Sequence, residues 1–381
     1  MRLLFTFLFC CATTALAQTG PKSLLIYYGW PSLIQNSNGT VVTAANQFSP
    51  YRFVVLGNGL QDPAHGDHAK TQQIVQHSLT NSVTFFGYVD LGVSTQNLSL
   101  ADIQTRVLQW KAMGIDGIFL DDYGYDYGVS RQRQNDAVQY IHGQGLPVVA
   151  NGWNPDHVFG SVAHAVYNPS GLSTALNAMD YYLSESFVVA NWNYDPDWMT
   201  KAGVLESYRA ALGFRILANT TNDVAHRDTF DPERLNYAWF CAAIYGYEAL
   251  AWGEYSYSAS GSNNTVAPYR NRPGGGFGTR YSDSPGQNGT RIFRNTDAGQ
   301  LWITPASHFY GFTSCGTCQS LSAGNWHSPG TWSCARVPLP CDDVVVSHAV
   351  TVSTADGQAK SLRLNGQLVY SGAFKVRLGI P

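Results

Sequence analysis

The chain has 381 residues, a formal net charge of −3 and only 13% charged residues, yet it carries 10 Trp and 22 Tyr. That length suits one large α/β domain with a small appendage, and a near-neutral chain with no clustered basic face argues against nucleic acid as a partner. The aromatics lean towards carbohydrate, because their faces stack on the apolar faces of sugar rings while their polar edges stay wet; a large core would use the same residues.

Taken from the N-terminus, Arg2, the apolar stretch Leu3 to Cys11 and then Ala15-Leu16-Ala17 form the pattern of a secretory signal peptide. Residues 1–17 are therefore expected to be removed and the protein to be secreted or held at the cell surface. No later run reaches the roughly 18 apolar residues a membrane helix needs, so no membrane span is expected. From Leu24 onward, short apolar runs alternate with helical patterns, which is the signature of repeated βα units. Eight strands are predicted: Leu24 to Tyr28, Phe53 to Leu56, Thr84 to Val89, Gly117 to Leu120, Pro147 to Ala150, Tyr181 to Leu183, Arg215 to Ala218 and Ala249 to Trp252. Between them, Ser99 with Asp102 three residues on resembles a capping box, and Leu100, Ile103, Val107 and Trp110 make one apolar face that stops at Gly114. Asp231-Pro232 opens another helix, and Gly145 and Gly213 close two more. Eight strands with interleaved helices predict a (β/α)8 TIM barrel, with a doubly wound open sheet as the alternative.

Beyond residue 256 the pattern changes. Residues 258–290 are rich in Ser, Asn, Gly and Pro and read as loop, and Arg291 to Phe312 alternates weakly, as a hairpin on the barrel would. The expected organisation is a barrel over residues 18–312 and a small all-β, Cys-containing module over 313–381. Cys315, Cys318, Cys334 and Cys341 read as one or two disulfides in an exported protein, with a zinc site as the sharper alternative. Cys241, in an apolar helical pattern, reads as a buried free thiol.

In such a barrel the strand ends converge on one face. They carry Tyr28 and Trp30, Asn58, Tyr88 and Asp90, Asp121-Asp122-Tyr123, Asn151 and Trp153, Glu185, Asn219, and Trp252 with Glu254. Acids, amides and aromatics on one rim suit a neutral or cationic sugar. Cleaving a glycosidic bond needs one carboxyl group to protonate the leaving oxygen and a second, ionised, to attack the anomeric carbon or activate water. Asp121 or Asp122 with Glu185 would supply that pair. Because neighbouring strand residues point to opposite sides, only one of Asp121 and Asp122 is expected to face the centre. Asp62, His65, Asp67 and His68 share one loop and raise a metal reading, but the first strand ends in Tyr27-Tyr28 where a barrel metallohydrolase would place a His-x-His pair. No metal and no cofactor is implied, and nothing in the sequence sets the oligomeric state.

The run Gly114-Ile115-Asp116-Gly117-Ile118-Phe119-Leu120-Asp121 resembles the strand-four signature of the endo-alpha-1,4-polygalactosaminidase family of glycoside hydrolases and its spherulin-4-like relatives. Phe86-Gly87-Tyr88-Val89 is similar to their strand-three signature, and Asn151-Gly152 stands where they carry a strand-five asparagine. The resemblance covers residues 22–256. It implies a TIM barrel, a polysaccharide partner and retaining, endo-acting cleavage of an alpha-linked, galactosamine-containing exopolysaccharide, with Asp121 as nucleophile and Glu185 as acid/base. Asp121-Asp122 departs from the Asp-Glu of the spherulin-4-like branch, which leaves Asp122 as a partner that tunes the pair. Tyr28, Trp30, Asn58, Tyr88, Asp90, Tyr123, Asn151, Trp153, Asn219, Trp252 and Glu254 would then contact the sugar. The competing reading is a non-catalytic barrel that binds glycans as an adhesin or matrix component.

Overall fold

The structure is a computed structural model and describes residues 20–254 and 266–379. The expected signal segment, 1–17, lies outside the described residues, as does 255–265. Eight parallel strands close into a barrel: β1 (Lys22–Tyr27), β2 (Phe53–Leu56), β3 (Thr84–Asp90), β4 (Gly117–Asp121), β5 (Val148–Ala150), β6 (Tyr181–Ser184), β9 (Arg215–Asn219) and β10 (Ala249–Ala251), with a two-rung hairpin, β7 (Val189–Ala190) and β8 (Asn193–Tyr194), inserted after β6. The order β1-β10-β9-β6-β5-β4-β3-β2 joins the first strand to the last. The open-sheet alternative is thereby excluded.

Each strand is buried on both faces, as parallel strands covered by helices must be. Leu24, Ile26, Phe53, Val55, Phe86, Phe119, Val149, Leu183 and Leu217 fill the barrel, whereas Leu25, Val54, Phe85, Ile118, Leu120, Val148 and Ile216 face the helices. The helices are α1 (Val41–Phe48), α2 (His68–Val75), α3 (Leu100–Met113), α4 (Arg131–Gly143), α5 (Pro155–Phe159), α6 (Trp198–Leu212) and α7 (Pro232–Ile244). Their ends follow the local chemistry. Ser99 and Asp102 form the reciprocal capping box of α3, Asp231 caps α7 ahead of Pro232, and Gly114 and Gly213 end α3 and α6 in the left-handed conformation.

A single glycine sets the level of β3 against its helix. A Cβ on Gly87 would lie 2.3 Å from the Trp110 ring, whose indole N–H donates to the Tyr88 carbonyl at 2.9 Å. The strand thus approaches α3 as closely as only glycine permits.

After the barrel, β11 (Gly286–Asn288), β12 (Arg291–Asn295), β13 (Gly299–Thr304) and β14 (Phe309–Ser314) form a four-stranded antiparallel meander, larger than the expected hairpin. It packs on α7 through Leu301, Ile303 and the Phe240–Tyr310 ring contact. The rest is all-β as expected, but its strands run parallel: β15 (Thr317–Gln319), β17 (Asp343–Val346) and β20 (Ser361–Leu364) form one ladder, β16 (Gly324–Asn325), β18 (Ala349–Val352) and β21 (Gln367–Tyr370) a second, and β19 (Gly357–Ala359) and β22 (Val376–Leu378) a third. Thr317 pairs with Asp343 and Asp343 with Ser361, so the first coil stacks on the next 26 residues on and that one on its neighbour 18 residues on. Trp326, Trp332, Val344, Val346, Val350 and Val352 fill the inside of the coil. Cys315–Cys341 and Cys318–Cys334 are disulfides, which removes the thiolates a zinc site would need, and Cys241 is free and buried.

Candidate active site

Strand alternation delivers the site. In β4, Phe119 points into the barrel, so Asp121, two residues on, points inward at its C-terminal mouth. The same parity carries Val149 to Asn151 in β5, Leu183 to Glu185 after β6, and Ile26 to Tyr28 after β1. These side chains meet in a cavity of ≈ 250 Å³ lined by Tyr28, Asp121, Asp122, Tyr127, Asn151, Gly152, Trp153 and Glu185.

Asp122 also lines this cavity, contrary to the expectation that only one of the two aspartates would. The strand ends at Asp121, and Asp122 takes a left-handed φ of +53°, which abolishes the alternation. Asparagine and aspartate tolerate that conformation better than other side-chain-bearing residues. The turn also needs room. A Cβ on Gly92 would come within 2.9 Å of the Asp122 Cβ and closer still to Thr95 Oγ1, so the loop after β3 can lie against Asp122 only because residue 92 is glycine.

Asn151 couples the carboxylates. Its Nδ2 donates to Asp121 Oδ1 at 2.8 Å and to Glu185 Oε2 at 3.0 Å. The two oxygens are therefore at most 5.8 Å apart, the two bonds laid end to end, and about 5 Å apart if the amide hydrogens are used at their natural angle. The Tyr88 hydroxyl supplies a second hydrogen bond to Asp121. Burial, then the charges of Asp122 and Glu185, push the Asp121 carboxyl up to about 7 against the opposing bond from Asn151. Burial and the charge of Asp90 push Asp122 up to about 6, opposed by a hydrogen bond from Thr95. Burial, reinforced by these carboxylates, holds the Tyr28 and Tyr88 hydroxyls well above the ordinary phenol range. Both tyrosines therefore stay donors at any working pH.

Several rim residues fall outside this cavity. Trp30 packs edge-on against His65, and Asn58 accepts a hydrogen bond from Arg106 at 3.0 Å, because the loops leave β1 and β2 sideways. Asp90 is buried beneath the rim and accepts a bond from Thr95 at 2.8 Å, so it acts on the site through Asp122. Tyr88 likewise lies under the floor. Tyr123, displaced by the left-handed turn, is fully buried among the helices; Trp252 has the outward parity and packs against Trp192 and Phe230. Asn219 is buried, its amide on the Thr220 carbonyl at 3.3 Å, and Glu254 is buried in an ion pair with Arg270. The loop with the suspected metal residues is tied internally: Asp67 accepts from Ser32 and Thr71, His65 from the Asp67 amide, and His68 meets the Leu60 carbonyl. Among the described residues no group of His, Cys, Asp and Glu is arranged to hold a metal ion. Two contributors escaped the sequence reading. Tyr127 comes from a short 3₁₀ turn that follows Asp122, and Lys201 reaches the rim from α6, its Nζ 4.8 Å from the centre of the Trp153 ring.

Fold and site together define a (β/α)8 barrel with a carboxylate-lined cavity at its C-terminal mouth. No family model matches the chain, and no curated protein matches it. Among solved structures the chain is similar to the glycoside hydrolase domain of PelA from Pseudomonas aeruginosa, at 17% identity and a TM-score of 0.38 over 62% of this chain and 96% of that one. It is also similar to alpha-galactosidase I from Mortierella vinacea, at 13% identity and a TM-score of 0.42 over 80% and 83%, and to a pyruvate carboxylase from Rhizobium etli, at 10% identity and 0.39 over 62% and 22%. Likenesses this distant carry no chemistry across.

Proposed function

We propose that this protein is an exported glycoside hydrolase that cleaves an amino-sugar polysaccharide within its chain by a retaining, two-carboxylate mechanism. The observation that carries the reading is the pair of hydrogen bonds by which one amide nitrogen, Asn151 Nδ2, holds Asp121 and Glu185. Their bonded oxygens are at most 5.8 Å apart, which is short of the roughly 6.5–9.5 Å that leaves room for an inverting water and supports the spacing of about 5–5.5 Å that retaining enzymes use.

In the reading, Glu185 protonates the glycosidic oxygen while Asp121 attacks the anomeric carbon. Water, deprotonated by Glu185, then releases the sugar from Asp121. Asn151 and Tyr88 donate to Asp121 and so favour its ionised, nucleophilic form against the burial that opposes it. Asp122, raised for its own reasons, adds negative potential beside an oxocarbenium-like transition state. Three carboxylates around one cavity favour a sugar bearing an ammonium group, in line with the galactosamine polymer that the sequence resemblance implies. Two disulfides fit an oxidising compartment, in line with the signal pattern; no helix among the described residues is long and apolar enough to cross a membrane.

Incubation with partly deacetylated α-galactosamine polymer should release reducing ends, and Asp121→Asn and Glu185→Gln should each abolish the release. Nucleophile and acid/base separate by azide, which rescues the acid/base variant with retained anomer and the nucleophile variant with inverted anomer. Full activity in either variant ends the assignment.

A further inference from the structure

Trp153 is 60% exposed on a rim whose other residues are mostly half-buried, and it lines two hollows. One is the cavity of the carboxylate pair. The other, of ≈ 450 Å³, is lined by Trp153, Asp156, Asp195, Asp197, Thr200 and Lys201, with Asn154, Pro155 and Val204 completing it. The residues come from three elements: α5 contributes Asp156, the segment before α6 contributes Asp195 and Asp197, and α6 contributes Thr200 and Lys201.

The polar groups are fixed rather than loose. The Tyr208 hydroxyl donates to Asp156 Oδ1 at 2.6 Å, and the Asp197 amide donates to Asp195 Oδ1 at 2.9 Å. In both aspartates the second carboxylate oxygen is left for a ligand. Lys201 holds the indole from one side, 4.8 Å from its centre, and also lies 5.8 Å from the centre of the Tyr182 ring. The Tyr182 hydroxyl in turn donates to the Gly152 carbonyl at 2.7 Å, next to Trp153 in the chain. A cation held against a ring face steadies it. Three carboxylates against one ammonium leave the hollow with a net negative charge. An aromatic platform edged by fixed carboxylate acceptors, with Lys201, Thr200 and Asn154 as donors, is the arrangement that sugar rings and their hydroxyls fill.

We infer that this second hollow is a sugar subsite of the same cleft, which takes the neighbouring units of a neutral or aminated glycan across Trp153 and turns acidic glycans away. The inference rests on the glycosidase reading for the bond that is cut, but its test does not depend on cutting. Asp121→Asn protein is titrated calorimetrically with α-galactosamine oligomers, one length short enough for the first cavity alone and one long enough to span both. The double change Asp195→Asn/Asp197→Asn is then added in the same background; asparagine at 195 keeps the acceptor that meets the Asp197 amide.

The long oligomer should bind more tightly than the short one. The double change should remove most of that advantage, a loss of about fivefold or more, while leaving the short oligomer unchanged. Oligogalacturonate should bind poorly until the double change relieves the repulsion. If the gain with length survives the double change in full, the subsite inference fails and the glycosidase reading stands. If neither length binds at all, the sugar reading fails and takes the subsite with it.

Discussion

Replacing Asp121 by asparagine keeps the shape of the side chain and its acceptor for Asn151 but removes its titration, so the change isolates what the carboxylate costs the fold. In the native state its carboxyl is pushed from 3.8 to about 7, first by burial and then by Asp122 and Glu185. Between those values the folded protein holds a proton that the unfolded chain has released. Stability therefore falls as pH rises from about 4 to about 7, and the contribution present at low pH is gone above the folded value. At 1.36 kcal/mol per unit the full shift corresponds to a ceiling of about 4 kcal/mol. The carboxyl lines a cavity of ≈ 250 Å³ edged by polar groups, where charges are screened more than in a closed core, which brings the expected figure to about 2 kcal/mol. Urea unfolding at about pH 3, below the unfolded value, should find Asp121→Asn close to the native protein, and unfolding at about pH 8 should find it more stable by about 2 kcal/mol, while the release of reducing ends is lost. Equal stability of the two proteins at both pH values, or a variant less stable at the higher one, would refute the account of Asp121 as a carboxyl held against repulsion.

The remaining expectations are brief. With Asp121 as nucleophile, kcat/KM should fall on the acid side of about pH 7, reaching roughly a hundredth of its plateau near pH 5; a fall on the alkaline side instead would give Asp121 the role of acid. Gly87→Ala should destabilise the barrel by about 1–3 kcal/mol, because a methyl group there meets the buried Trp110 ring, and it should disturb Tyr88 beneath Asp121; unchanged thermal unfolding would contradict the close approach. Replacing Cys318 and Cys334 together by alanine opens a loop of sequence separation 16 and should cost the parallel coil about 3 kcal/mol, visible as earlier proteolysis of residues after 315, while the barrel's activity persists.

How far the sequence carried is decided by parity. Eight apolar runs marked the barrel because a strand covered on both faces must be apolar throughout, and inside such a strand every second residue shares a direction. Tyr28, Asp121, Asn151 and Glu185 could be placed on the mouth for that reason. Parity lapses where the chain leaves the extended conformation, as it does at Asp122 with its φ of +53°. Asp122, Tyr123, Trp30 and Asn58 all lie past that point, where left-handed turns and sideways loops set the direction, and there the sequence pointed the wrong way. Lys201 was invisible because only packing brings α6 to Trp153. The parallel coil left a signal that was readable in principle: Asp343-Val344-Val345-Val346 and Ser361-Leu362-Arg363-Leu364 are alike at a distance of 18. Two such segments, however, also read as antiparallel neighbours, and alternation alone does not choose between the two pairings.

The acidic rim divides by depth, and the division explains why so many carboxylates persist in one place. Asp90 is buried and bound to Thr95, which also bonds Asp122; Asp122 and Asp121 face the cavity; Glu185 meets Asp121 through Asn151. After burial, Asp90 raises Asp122, and Asp122 and Glu185 raise Asp121; the neutral donors among them are Thr95, Asn151 and Tyr88, and among the described residues no cation lines the first cavity. An arginine or lysine placed among them would stabilise the protein and, under the proposed reading, would neutralise the charge that a cationic transition state needs. Among the described residues that line the two hollows, the ammonium is Lys201, which lies 4.8 Å from the centre of the Trp153 ring, outside the first cavity's lining, and feels the charge of Glu185 from there. Under the proposed glycosidase reading, a site that meets a positive sugar carbon has to keep most of its negative charge available until that carbon forms, and the hydrogen bonds of Asn151 to Asp121 and Glu185 would hold that charge in place.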